Sequence, residues 1–342
     1  MMPMPTSTPA GRSPTLDEVA ALAGVGRGTV SRVLNDSPQV TEATRAAVRR
    51  AIETLGYVPN RAARSLVTRR SDSVAVVISE SDSRVFTEPF FGGFIRGVTE
   101  GVAESGLQLL LAMARTTPER DRLHRFLAGR HVDGVLLASL HRDDPLPQLI
   151  TELRIPAVSV GRIAGDLPYV DADNAGGAHA AVTHLHATGR RRIATITGPL
   201  DMDAGAARLA GYHDALAAAG VPRDESLVAV ADWSEESGRA AMAGLLAAGA
   251  APDAVFVASD LMASGAMQVL AEHGLRVPED VAVIGFDDST VARHTRPQLT
   301  SVHQPVSAMG LEMVRLLRTA MAGGDAPDSL VLPTRLVLRE SA

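Results

Sequence analysis

Thr15 to Asn35 reads TLDEVAALAGVGRGTVSRVLN. Leu16, Val19, Ala20 and Ala23 recur there at helical spacing and give one apolar face. Gly24 follows, where the chain can turn with φ positive, and Val25 can plug the gap beyond it. Residues 26–34 carry a second helical pattern, with Val30, Val33 and Leu34 on its inner side. Two short helices across a tight turn are the plan of a helix-turn-helix, whose second helix enters the DNA major groove. The outer side of that second helix carries Arg27, Gly28, Thr29, Ser31 and Arg32. These groups are compact or cationic, suited to base edges and phosphates. A plain αα-hairpin shares this periodicity, so the neighbouring sequence has to decide.

Residues 41–56, TEATRAAVRRAIETLG, predict a third helix with Thr41 as N-cap and Val48, Ile52 and Leu55 as its apolar stripe. Then comes YVPNRAARSL, from Tyr57 to Leu66. Four motifs now stand in register: T-L-x-x-V-A-x-x-A-G-V, T-V-S-R-V-L-N, T-R-x-x-V, and L-G-Y-x-P-N-x-A-A-R-S-L. With them the chain resembles the LacI family of bacterial transcription repressors. The resemblance implies DNA contacts from Thr15, Leu16, Arg27, Gly28, Thr29, Ser31, Arg32, Asn35, Tyr57, Asn60, Arg61, Ala63 and Leu66. It also implies that the segment from Asn60, too short to be a stable helix alone, is a hinge helix that folds on operator DNA. There it would pair with its partner copy, and Leu66 would enter the minor groove as an apolar wedge.

The chain's 342 residues suggest two or three domains. Hydrophobic residues make up 46% and charged residues 21%, the balance of a globular protein. No apolar run approaches the length of a membrane span, and the first 14 residues lack the pattern of a signal peptide and read as a disordered lead. There is no cysteine, which excludes disulfides and thiolate metal sites. A cytoplasmic protein is expected. The net charge of −6 argues against nucleic acid until it is resolved along the chain. Residues 12–70 hold ten arginines against five acids, while the remainder holds 23 arginines against 34 acids. A basic headpiece on an acidic body is the asymmetry of a local DNA-binding module.

From Ser73 onward the pattern changes. Strands are predicted at 74–78, 107–112, 134–138, 157–160, 193–197, 227–230, 254–258, 281–285 and 336–339. Helices between them are predicted at 92–105, 118–129, 147–153, 175–188, 204–219, 234–248 and 261–273, with a later one at 305–322. Strand–helix alternation on this scale means doubly wound parallel sheets. The expected fold is an all-α helix-turn-helix headpiece plus an α/β core of two such lobes. The resemblance adds that the core is similar to periplasmic sugar-binding proteins and crosses between lobes three times, here near Asp171, Ser301 and Ala326. The expected divisions are a lead at 1–14, the headpiece at 15–59 and a hinge helix and linker at 60–72. The first lobe takes 73–172 with 302–326, and the second 173–301 with 327–342.

Enzyme chemistry finds little support. There is no phosphate-binding G-x-x-x-x-G-K-[ST] loop and no G-x-S-x-G elbow. His179, His184 and His186 have poor metal spacing. Asp287 and Asp288 are adjacent at a strand end and should point apart. No cofactor, metal or catalytic residue is expected. A binding cleft is the better use of these groups, because ligands of doubly wound sheets sit at the carboxyl ends of the strands. Phe90 and Phe91 are expected in the turn after the first strand. Arg162, Arg208, Trp233, Ser259, Asp260 and Asp287 fall at or near other strand ends. Aromatic faces stack on the C–H faces of a sugar, and charged groups bond its hydroxyls. The family's effector contacts match Arg208 in RLAGY, Trp233 in ADWS and Asp287 in GFDD, whereas the family's frequent Asn is Ser259 here.

PTLDEVAALAGVGRGTVSRVLN, EPFFGGFIRGV, HVDGVLLASLHRDDPLPQLI, RRRIATITGPLDM and VPEDVAVIGFDDSTVARH narrow the resemblance to cellobiose-responsive repressors of GC-rich soil bacteria. That likeness implies a sequence-specific repressor of sugar-utilisation genes. It would bind a pseudo-palindromic operator as a homodimer and be released by a small sugar, cellobiose or a cello-oligosaccharide. No leucine heptad follows the last predicted strand, so a tetramer is not expected. A sugar hydrolase would leave the headpiece unexplained, and a periplasmic carrier would need a signal peptide.

Overall fold

The computed structural model describes residues 14–34, 36–58, 70–163, 166–323 and 328–342. Contacts divide the chain into two compact units, one ending at Ser71 and one from Asp72 to Ala342.

The headpiece holds α1 (Leu16–Ala23), α2 (Arg27–Leu34) and α3 (Glu42–Leu55). Thr15 caps α1 in a reciprocal box: its hydroxyl accepts from the Glu18 amide at 3.3 Å, and Glu18 Oε2 accepts from the Thr15 amide at 2.6 Å. Gly24 ends the helix in the left-handed region at φ +66°, which makes the turn. Thr41 caps α3. Val19, Ala20, Val30, Val33, Val48, Ala51 and Tyr57 form the core, with Leu16, Val25 and Leu34 partly buried against it.

The core unit contains two sheets. In the first, β1 (Ser73–Ile78), β2 (Gln108–Met113), β3 (Gly134–Ala138), β4 (Ala157–Val160), β5 (Tyr169–Ala172) and β11 (Leu330–Leu332) lie in the order β11-β5-β4-β3-β1-β2, all parallel. The second has β6 (Ile193–Thr197), β7 (Val228–Val230), β8 (Ala254–Val257), β9 (Ala282–Asp287), β10 (Thr300–His303) and β12 (Arg335–Val337), ordered β12-β10-β9-β8-β6-β7. Here β12 pairs antiparallel with β10, so this lobe is not purely parallel; an antiparallel edge on a parallel sheet is common. The central strands are buried on both faces, as β1 is along its whole length.

The helices of the first lobe are α4 (Asp82–Thr87), α5 (Pro89–Ser105), α6 (Thr117–Ala128) and α7 (Leu146–Leu153). The second lobe has α8 (Asn174–Ala187), α9 (Asp203–Ala218), α10 (Glu235–Ala247), α11 (Asp260–Glu272) and α12 (Thr290–His294). The chain then returns to the first lobe as α13 (Val306–Met321), packed on α5. Two glycines allow the backbones to touch. A Cβ on Gly97 would stand 1.9 Å from the Ser307 carbonyl oxygen, and one on Gly310 would stand 2.5 Å from that of Phe94.

Two expected boundaries need correction. β10 lies in the second sheet through His303, so the second crossing follows it instead of falling near Ser301. Ala326 lies outside the described residues. β11 after it pairs with β5 in the first sheet, so the chain enters the second lobe only between Leu332 and Arg335. Both strands are only three or four residues long, too short for periodicity to mark them.

Candidate functional site

In the headpiece, Arg27, Gly28 and Arg32 are exposed on α2, with Thr29 and Ser31 half-buried beside them. Nothing lies within 4 Å of where a Gly28 Cβ would be, so its lack of a side chain is not required by packing and leaves the helix surface open to close approach. Arg27 makes only an exposed, 3.8 Å pair with Asp17, which competes weakly for its charge. Three expected contacts have other work. Tyr57 is buried in the headpiece core because the chain folds back after Gly56 at φ +61°. Leu16 packs against the same core, and the Thr15 hydroxyl caps α1. Asn35, Asn60, Arg61, Ala63 and Leu66 lie outside the described residues.

The core unit has a cavity between its lobes. Phe90, Phe91, Arg162, Arg208, Trp233 and Asp287 all line it, and so do Glu88, Asp171, Asn174, Met202, Asp203 and Gln304. Its centre is Arg208, whose side chain is 5% exposed. Each guanidinium nitrogen donates one hydrogen bond: Nε to Asn174 Oδ1 at 2.8 Å, Nη2 to Gln304 Oε1 at 2.7 Å, and Nη1 to the Ala258 carbonyl. Nη1 also stands 3.6 Å from Asp287 Oδ1. The guanidinium carbon lies 3.7 Å from the Phe286 ring centre and 5.3 Å from that of Trp233. Asn174 and Gln304 sit at two of the lobe crossings, so Arg208 ties the second lobe to its own hinge.

Trp233 stands where the chain leaves β7, at φ +76°, and Asp287 ends β9 at φ +108°. Such backbone costs energy and is held only where surrounding structure insists on it. Trp233 lies over Gly198, where a Cβ would come within 2.2 Å of the ring, and its indole N–H points at Met202 Sδ at 3.3 Å. Asp288 turns away to Arg339 and His303, so the two adjacent carboxylates do not form a pair.

Burial governs the charges. It pushes the Asp171 carboxyl up to about 6, although the Ala172 amide holds it down, as does the more distant Arg162, whose Nε is 3.4 Å from Oδ2. It raises Glu88 against the pull of Arg84. It raises Asp287 well above the usual carboxylate range, with Arg208 opposing. A guanidinium held in place and several carboxyls give the cavity groups able to form strong, directed hydrogen bonds with hydroxyls.

Three sequence-based expectations about this cleft need correction. Ser259 caps α11 by accepting from the Met262 amide at 3.2 Å, and does not line the cavity. Asp260 accepts from Ser301 Oγ at 2.6 Å and the Ser289 amide at 2.7 Å, bracing β9 and β10 from behind. Phe90 and Phe91 belong to the first turn of α5, not to a loop, because Pro89 starts the helix. The residues missed, among them Glu88, Asp171, Asn174 and Gln304, carry no local motif. Only their positions at strand ends and crossings could have drawn attention to them.

The sequence pattern of the bacterial regulatory proteins of the lacI family matches residues 15–60, and that of the periplasmic binding protein-like domain matches residues 182–342. The HTH-type transcriptional regulator CelR of Thermobifida fusca is 57% identical over 335 residues, covering 96% of this chain and 98% of its own. The chain belongs to the LacI family. Among solved structures, a transcriptional regulator CelR–cellobiose complex is 54% identical with a TM-score of 0.78, over 96% of this chain and 100% of that one. The lac repressor dimer bound to operator and the anti-inducer ONPF is 28% identical with a TM-score of 0.85, over 96% and 99%. As a LacI-family protein, the chain is a helix-turn-helix DNA-binding regulator of transcription with a periplasmic-binding-protein-like core, and not an enzyme. Among the described residues of this LacI-family chain, no helix is long and apolar enough to cross a membrane.

Proposed function

We propose that the protein represses sugar-utilisation genes and is released from its operator by cellobiose bound between the lobes. The observation that carries this reading is the cavity built around Arg208, with Trp233, Phe90 and Phe91 as apolar walls and carboxyls between them. The CelR–cellobiose complex supports the choice of sugar. Phe90, Phe91, Arg162, Arg208, Trp233 and Asp287 are the proposed effector contacts. Arg27, Gly28, Thr29, Ser31 and Arg32 are the proposed operator contacts, joined by Asn35, Asn60, Arg61, Ala63 and Leu66 from outside the described residues. The working form is a homodimer in the cytoplasm on a pseudo-palindromic operator, as dimeric proteins with this motif read paired half-sites. Sugar releases DNA by binding one lobe arrangement more tightly than the other.

The test is a gel-shift series on the chain's own upstream region, with and without cellobiose, alongside Trp233 emission. Trp233 is the only tryptophan, so no other indole contributes. Cellobiose should release the DNA and change the emission. A panel of β-linked glucose oligomers that does neither would refute the sugar. Asp287→Asn should weaken the sugar response and leave sugar-free operator binding intact.

A further inference from the structure

The loops after β3 and β6 meet across the cleft, one from each lobe. His141 Nδ1 is 2.7 Å from Asp201 Oδ2. The Arg142 amide donates to the Asp201 carbonyl at 2.8 Å, and Arg142 Nη2 donates to the Leu200 carbonyl at 3.2 Å. His141, Arg142 and Asp201 line the adjoining part of the same cleft, beside Leu140, Arg162, Ile163 and Asp203, which also line the cavity around Arg208. We infer that His141, Arg142 and Asp201 form a clasp at the rim of the cleft that holds the lobes together and sets how tightly the effector is kept, acting through the position of the lobes.

The clasp is continuous with the cavity wall on both sides. In the first lobe, His141 Nε2 is 3.5 Å from Glu80 Oε1. Glu80 is buried and accepts from Ser139 Oγ at 3.0 Å and from Arg84, and Arg84 Nε donates to Glu88 Oε2 at 2.9 Å. Arg84, Glu88 and Ser139 line the cavity. In the second lobe, Asp201 precedes Met202, whose sulfur accepts from the Trp233 indole. A ligand that orders Arg84 and Glu88 therefore orders Glu80, against which His141 rests. A clasp that fixes Asp201 in turn fixes Met202 and Trp233. Two lobes joined by three covalent crossings still need a contact away from those crossings to favour closure, because domain closure is a two-state equilibrium biased by what the closed form adds.

This rests on reading the cavity as a sugar site, so two independent readouts are needed on the full chain. The first is cellobiose affinity, followed by Trp233 emission, for the wild type, His141→Ala, Asp201→Ala and the double variant. Each single variant should lose roughly tenfold in affinity, and the double no more than either, because one contact is removed in all three. Sugar-free operator binding should persist and reports that the variants fold. The second readout needs no sugar: small-angle scattering should show a larger radius of gyration for the variants than for the wild type. Additive losses, unchanged affinity, or scattering identical to wild type would overturn the clasp. A wild type silent to cellobiose whose variants still expand would refute the sugar and keep the clasp.

Discussion

Asp171 contributes to the pH dependence of the cleft, beside the raised carboxyls of Glu88 and Asp287. Burial pushes its carboxyl up to about 6, above its ordinary 3.8. The folded state therefore takes up a proton more readily than the unfolded chain. As pH falls from about 6 to 4 the sugar-free core gains stability from this group, and as pH rises through the same window that contribution is lost. Sugar binding should run the other way. The ionised Oδ2 is the stronger acceptor for a hydroxyl, so cellobiose affinity should fall between pH 7.5 and 5.5, by at most about fourfold, or about 0.8 kcal/mol, for one group titrating near 6. Asp171→Asn should remove the component centred near pH 6, as Trp233 emission titrations at several pH values would reveal. A residue such as Asp171 was not legible as a site member. Its partner Asn174 is three positions away, and Arg208 and Gln304, which complete the cluster, are 96 apart. By contrast Arg208, Trp233 and Asp287 sit inside recognisable motifs and were found. Ser259 and Asp260 misled because a residue at a strand end can face either the cleft or the packing behind it.

Among the elements, α5 and α13 depend on two missing side chains. Gly310→Ala places a Cβ 2.5 Å from the Phe94 carbonyl oxygen, which backbone cannot yield cheaply. The helices must part, at a cost of roughly 1–3 kcal/mol, and thermal unfolding should show a lower midpoint. Gly28→Ala in α2 meets no such obstacle within the headpiece. Its folding should be little changed, at about 1 kcal/mol or less in favour of the variant, so any loss of operator affinity in a gel shift reports crowding against DNA. The long buried strands were legible in the sequence because β-branched runs such as β1 tolerate few readings. β5, β10 and β11 were not, since each is only three or four residues long and is defined by pairing with strands far away. α4 was missed for the same reason: six residues, mostly polar, held by a Ser81 cap and by Arg84.

For the whole molecule, two units with separate hydrophobic cores imply separable activities. A chain beginning at Asp72 should bind cellobiose with the affinity of the DNA-free protein and show no operator binding. Linkage adds a stricter requirement: if cellobiose weakens operator affinity by some factor, operator must weaken cellobiose affinity by the same factor. Titrating Trp233 emission with and without saturating operator checks this directly, and unequal factors would mean that a further state takes part. The return of the chain to the first lobe has a separate consequence, for biosynthesis. The ribosome finishes 73–172 long before it makes α13 and β11, and those later elements cover α5 and complete the β5 edge. Until they emerge, the apolar faces of α5 that meet Met309, Met313 and Val314 stand open to water. The second lobe in turn lacks β12 and the Ser341 hydroxyl, which accepts from the Thr300 amide and donates to the Val283 carbonyl. Each lobe can therefore assemble one face of its sheet early, while the other face is sealed only when the last segment emerges, and until then the nascent chain carries exposed apolar surface.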